Sequence, residues 1–181
     1  MNYDFLSDFE LHEKVSHECI DKYAEKIPGE LIDIWKNYGF GSFMNGYLRI
    51  INPDEYIGLL GRSYFRADIA VPIMTTAFGD IIIWENQHFI VMVNYRYGRR
   101  DTMIRGLVLF AMLLKDKTFQ KRFFSLEAYE EAVQRYGKVA FDECFGYVPL
   151  LAMGGKECVE NIKIVKLREH IAVIADMTGG V

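Results

Sequence analysis

At 181 residues, 51% hydrophobic and 14% aromatic, the chain can form one domain or two small ones around a sizeable core, and with 4 Pro and 15 Gly it is no disordered tail. Its net charge of −4 is mild, and three scattered cysteines (Cys19, Cys144, Cys158) without a C-x-x-C pair fit a reduced cytosolic protein better than a disulfide framework. The longest apolar run, Leu107 to Leu114, is far short of the ~20 residues that span a bilayer. The start MNYDFLSDFELHEK lacks the apolar centre of a secretory signal, so a soluble, cytoplasmic protein with no membrane partner is expected.

The charge is unevenly spread. Residues 1–30 carry eight acids against three lysines, whereas Arg96 to Arg122 holds eight basic residues against two acids. Such a division fits a charged partner, two lobes that attract each other, or ordinary solvated faces.

Ser7-Asp8-Phe9-Glu10 has the form of a capping box, and Leu11, Val15, Cys19 and Tyr23 follow at helical spacing, so a helix is expected from there to Pro28-Gly29. Leu31, Ile34, Trp35 and Tyr38 trace a second helix that Gly39 stops. The glycine-rich stretch Gly39 to Gly46 reads as a turn into a strand, Tyr47 to Ile51. It is no phosphate loop, because no Lys-Ser/Thr follows and it runs from helix to strand. Asn52-Pro53-Asp54-Glu55 starts a further helix, with Asn52 as cap and Glu55 reaching back, and Tyr56, Leu59 and Leu60 facing inward.

The centre of the chain runs from Ala70 to Tyr95. Strands are expected at Val71 to Phe78, Ile81 to Trp84 and Phe89 to Val93, joined by Gly79-Asp80 and by Glu85-Asn86-Gln87-His88. Neither of the last two runs alternates with polar residues, so both faces of this meander should be buried. Tyr97 to Asp101 reads as an exposed turn, and a boundary falls between Gly98 and Gly106, giving lobes at residues 1–100 and 101–181. Beyond it lie a buried helix or strand over Gly106 to Leu114 and a helix capped by Ser125 and ended by Gly137. An extended segment from Gly146 to Met153, a short strand from Ile162 to Val165 and a closing helix through Leu167, Ile171 and Ile174 complete the chain. The fold class is α+β: a central, mostly antiparallel sheet with flanking helices in two closely packed lobes.

Chemistry is hard to find. His12 and His17, five apart on a helix, point about 140° apart; His88 sits in a turn and His170 on the last helix, and all four read as surface residues rather than metal ligands. There is no nucleophile elbow, and the acids before Cys144 should raise its thiol pKa. Adjacent carboxylates at Asp142 and Glu143 should diverge, as in a solvated turn. Trp35, Trp84 and Cys19 read as core. Arg96, Arg99 and Arg100, interleaved with Tyr95 and Tyr97, could meet phosphate and bases. Yet the patch is small and the chain is acidic (pI ≈ 5.6), so direct nucleic-acid binding is not expected; the arginines read as a solvated hairpin end paired to nearby acids. Catalytic, cofactor and metal residues: none.

Two stretches carry a family resemblance. PGELIDIWKNYGFGSFMNGYLRIINPDEY (Pro28 to Tyr56) is similar to the amino-terminal, GAD-like portion of bacterial immunity proteins associated with type VI secretion DNase toxins, and more distantly to SUKH-superfamily immunity proteins. DECFGYVPLLAMGGKECVENIKIVKLREHIAVIADM (Asp142 to Met177) resembles the carboxy-terminal portion of the same proteins. The resemblance implies a non-enzymatic cytosolic protein that binds and neutralises a co-encoded toxin nuclease. It carries over Gly39, Gly41, Gly46, Pro53, Gly146, Pro149, Gly154 and Gly155 as turn formers only. Because a nuclease cleft is electropositive, acids near exposed turns (Asp80, Glu85, Asp142 and Glu143) are the candidate partner-binding residues. The alternatives are an enzyme with its site between the lobes and a regulatory ligand-binding module.

Overall fold

The computed structural model describes residues 3–181. Seven strands form one antiparallel sheet in sequential order: β1 (Glu10–Glu13), β2 (Phe40–Phe43), β3 (Leu48–Ile50), β4 (Ala70–Thr76), β5 (Ile81–Glu85), β6 (Phe89–Asn94) and β7 (Arg99–Arg105). A separate hairpin pairs β8 (Glu143–Tyr147) with β9 (Ile162–Lys166). The helices are α1 (His17–Tyr23), α2 (Gly29–Tyr38), α3 (Ile57–Ser63), α4 (Leu107–Leu113), α5 (Lys117–Phe123), α6 (Leu126–Tyr136) and α7 (Leu167–Thr178).

The unalternating meander behaves as its composition dictates. Ile82, Trp84, Ile90 and Met92 project to one face and join the core residues of α1, α2 and α4 to α6, including Leu31, Trp35, Phe110 and Tyr129. Ile81, Ile83, Val91 and Val93 project to the other and meet Leu59 and Leu60 of α3 and Leu167, Ile171 and Ile174 of α7. Burying each such side chain contributes roughly 1.5–3 kcal/mol, so helices on both faces follow from the strand sequences themselves. The result is an α+β fold of three layers. Its larger core runs from Phe5 to Ile162 and unites both halves of the chain; the expected division at residue 100 falls within β7.

The amino-terminal expectation fails. The box at Ser7 to Glu10 caps no helix: Asp8 instead accepts from Met44 N (3.1 Å) and Asn45 N (2.6 Å), holding the β2–β3 turn, and Glu10–Glu13 is an edge strand. The helix starts later, where Ser16 accepts from Cys19 N. The stretch after Gly39 is likewise a strand, β2, and not merely a turn. Gly39, at φ 86°, lies so close to β1 that a Cβ there would sit 2.5 Å from Glu13 O.

Several other starts and stops hold, but Ser125, expected as the cap of α6, makes no side-chain capping bond. Asn52 caps through Asp54 N, though Glu55 turns to Arg168 (3.4 Å) rather than back to the cap. Gly137 ends α6. The β5–β6 turn places Asn86 and Gln87 in the left-handed region, which matches the twist of the strands it joins. Residues 97–101 are not an exposed turn alone, because Arg99 begins β7. The extended segment expected to Met153 ends at Tyr147, before the cis Val148–Pro149 bond. Gly146 lies inside β8 and forms no turn: a Cβ there would meet His170 Nε2 at 2.6 Å.

Candidate partner-binding surface

Asp80 and Glu85, expected as exposed acids, are 0% and 1% exposed. Asp80 accepts from Arg96 Nη2 (2.8 Å) and from Thr76 Oγ1 (3.0 Å), and the guanidinium stacks 4.5 Å from the centre of the Phe78 ring. Burial works against the Arg96 charge, but the Asp80 carboxylate beside it holds the arginine protonated. Glu85 accepts from Tyr64 Oη and from Arg100 Nη2 (2.5 Å), with Arg66 at 3.4 Å. Partners 15 and 16 residues along the chain, delivered by the β6–β7 connection and β7, thus turn two turn-end acids into structural groups. Arg96, Arg99 and Arg100 are accordingly paired to acids as expected, but Arg96 is buried and not solvated.

Asp142 and Glu143 remain at the surface, Asp142 exposed and Glu143 half-buried. Their carboxylates do not diverge. Glu143 lies opposite Lys166 in the β8–β9 register, and Lys166 Nζ reaches both Asp142 (2.8 Å) and Glu143 (3.3 Å). That hydrogen bond from Lys166 holds the Asp142 carboxyl below its ordinary value. His12 of β1 stacks on the neighbouring Phe141, with ring centres 4.0 Å apart and planes at 9°. This stack ties the edge strand β1, in which Glu10 and Glu13 are exposed, to the residue that precedes Asp142. This neighbourhood was hidden in the sequence: Glu10-Leu11-His12-Glu13 is exposed throughout and offers no clear apolar alternation, and the helical reading of that stretch concealed the edge strand.

Depressions elsewhere on the surface include the following two. One, of ≈650 Å³, has an apolar floor of Tyr23, Ile57, Ile69 and Trp84, with Lys26 and His88 at its rim. The other, of ≈270 Å³, is lined by Tyr97, Arg99, Lys121, Arg122 and Glu157. Among the described residues no group of three or more His, Cys, Asp or Glu could hold a metal ion. Cys144 is pushed up to about 12, chiefly by burial, with the preceding Glu143 adding a smaller push in the same direction. Cys19, Trp35 and Trp84 are core residues, as read. His170, read as a surface residue, is buried against Gly146, and that burial lowers its pKa.

These buried groups set an acid limit. His170 has its pKa depressed below 6.5, so its contribution is present above that value and is lost as pH falls through the folded value. For Glu85, burial raises the pKa, but hydrogen bonds from Arg100 and Tyr64 outweigh it and leave the carboxyl below 4.5. Its contribution is lost in turn on further acidification. Urea titrations should therefore show stability falling from pH 6.5 downward, with a second decline below pH 4.5 that Glu85→Gln removes. A flat profile to pH 4 would contradict this assignment.

The meander is covered by helices on both faces, Asp80, Glu85 and Arg96 are buried in ion pairs within it, and Asp142 and Glu143 are left at the surface. Two family comparisons give this fold an identity. The GAD-like domain matches residues 3–96, and the carboxy-terminal domain of the T6SS immunity protein Tdi1 matches residues 105–178. The chain belongs to the GAD-like family and has the role of a type VI secretion immunity protein, whose partner is a cognate toxin. No curated protein sequence matches it. Among solved structures it is similar to the crystal structure of Atu4351 from Agrobacterium tumefaciens, at a TM-score of 0.78 and 19% identity, over 96% of this chain and 88% of that one; this likeness concerns the fold. No helix among the described residues is long and apolar enough to cross a membrane.

Proposed function

We propose that the chain binds and neutralises a cognate nuclease toxin in the cytoplasm of the cell that makes it, acting by complementarity and without bond-making of its own. The match of residues 105–178 to a T6SS immunity protein carries this reading. The nuclease assignment rests on charge. A DNA-cleaving domain must hold a polyanion, and an inhibitor that offers it carboxylates competes with phosphate and gains a steered encounter. Asp142 and Glu143, which stay at the surface, are the carboxylates we assign to this contact. Asp80 and Glu85 hold the scaffold that presents them.

The test is calorimetric titration of the catalytically silenced product of the toxin gene beside this one. A 1:1 complex is expected, and absence of binding overturns the proposal. Asp142→Lys with Glu143→Lys should weaken binding by at least several-fold at low salt and less at high salt, as screening dictates. Equal dissociation constants at low salt would remove the two acids from the contact.

A further inference from the structure

The start of the carboxy-terminal family match holds a helix that is apolar on both sides. Leu107, Phe110 and Ala111 of α4 enter the core, whereas Val108, Leu109 and Met112 are 43%, 43% and 70% exposed. At the spacing i, i+1 and i+4, these three share the outward face. The helix itself bears no charge, but exposed cations border it: Arg105 before it, Lys115 and Lys117 after it. None of the three makes an ion pair among the described residues. The one acid between them, Asp116, is engaged as the cap of α5, accepting from Phe119 N at 2.7 Å.

We infer that the outward face of α4 is a second docking face for the cognate toxin, and that it takes an apolar surface element of the toxin bordered by acids; this rests on the immunity reading above. The chemistry selects that occupant. Three adjacent apolar side chains on a rigid helix can be desolvated at low entropic cost, as interface anchors are. An unpaired cationic border then favours a partner whose own border is anionic and disfavours one that is cationic. A second copy of this chain, packed by two-fold symmetry, would set the cationic borders against each other.

The position also separates this contact from the acidic one. The α4 helix packs beside β6 and β7, at the opposite edge of the sheet from β1. A nuclease cleft is cationic, so an acid-bordered element lies outside it. The α4 face therefore adds affinity and selects the toxin, while the Asp142–Glu143 face meets the cleft.

The experiment uses the full chain and the silenced product of the adjacent toxin gene. Leu109→Glu with Met112→Glu should weaken binding by on the order of 100-fold, through faster dissociation, with melting within a few degrees of wild type. Lys115→Glu with Lys117→Glu, which touches no core residue, should weaken it about tenfold, and more at low salt. If the wild type binds and both variants bind equally well, the inference is wrong while the immunity reading stands. If the wild type does not bind, both fall together. Sedimentation showing a dimer that the Leu109→Glu/Met112→Glu variant splits would assign the face to a second copy. Pelleting with phosphatidylserine vesicles, lost in the same variant, would assign it to lipid; either result overturns the toxin assignment.

Discussion

Asp80→Asn should destabilise the fold by about 3–5 kcal/mol, because it strands the Arg96 guanidinium as a buried charge with no counter-ion. The substitution barely changes volume, so the loss reads out electrostatics rather than a cavity. Arg96 has no slack with which to compensate: its Nη1 is already buried without a partner, and its other contacts are the rings of Phe78 and Tyr97. Asp80 also accepts from Thr76 Oγ1, whose oxygen in turn accepts from Phe78 N and Asp80 N (both 3.2 Å). One side chain thus ties the β4–β5 turn to the connection that follows β6. The diagnostic result is a reversal. Removing both charges with Asp80→Asn and Arg96→Met should restore much of the loss, because an apolar replacement of a whole buried pair is often nearly neutral. Urea unfolding of the three variants measures this. A loss under about 1 kcal/mol for Asp80→Asn would place the pair in solvent, in contradiction to its burial.

The same pair shows where sequence reasoning reaches and where it stops. The strands of the meander declared themselves because continuous Ile, Val and aromatic runs admit only a doubly covered sheet. Likewise α2 and α6 were bounded by glycines that the observed caps use. The edge strands did not declare themselves. In β1, Glu10-Leu11-His12-Glu13 is exposed throughout, and β7 is built on Arg99, Arg100 and Arg105. Charged, solvated edges discourage pairing with other chains, and the same feature removes the apolar alternation by which a strand is recognised. The capping box at Ser7 was locally sound, but Asp8 found the β2–β3 turn, a partner 36 residues away.

The candidate site divided along the same line. Asp142 and Glu143 stayed at the surface because they sit at a hairpin corner. Asp80 and Glu85 share that turn-end context and differ in being buried with Arg96, Arg100 and Tyr64, whereas Lys166, the partner brought to Asp142 and Glu143, is itself exposed. His170 was hidden likewise, since nothing in its helix announces that Gly146 vacates the space beside it. Charge in a turn marks a candidate contact only when the fold does not bury it with a distant partner.

Neutralisation by complementarity makes a demand that catalysis does not: one molecule is consumed per toxin. For the nuclease partner proposed above, DNA cleavage by the purified toxin domain, titrated with this chain, tests that demand most directly. Activity should fall linearly and vanish when the two proteins are equimolar, and co-expression should restore growth of cells that carry the toxin. Cleavage that persists at every ratio, or that is abolished by far less than an equimolar amount, would contradict a stoichiometric inhibitor, the latter by revealing turnover.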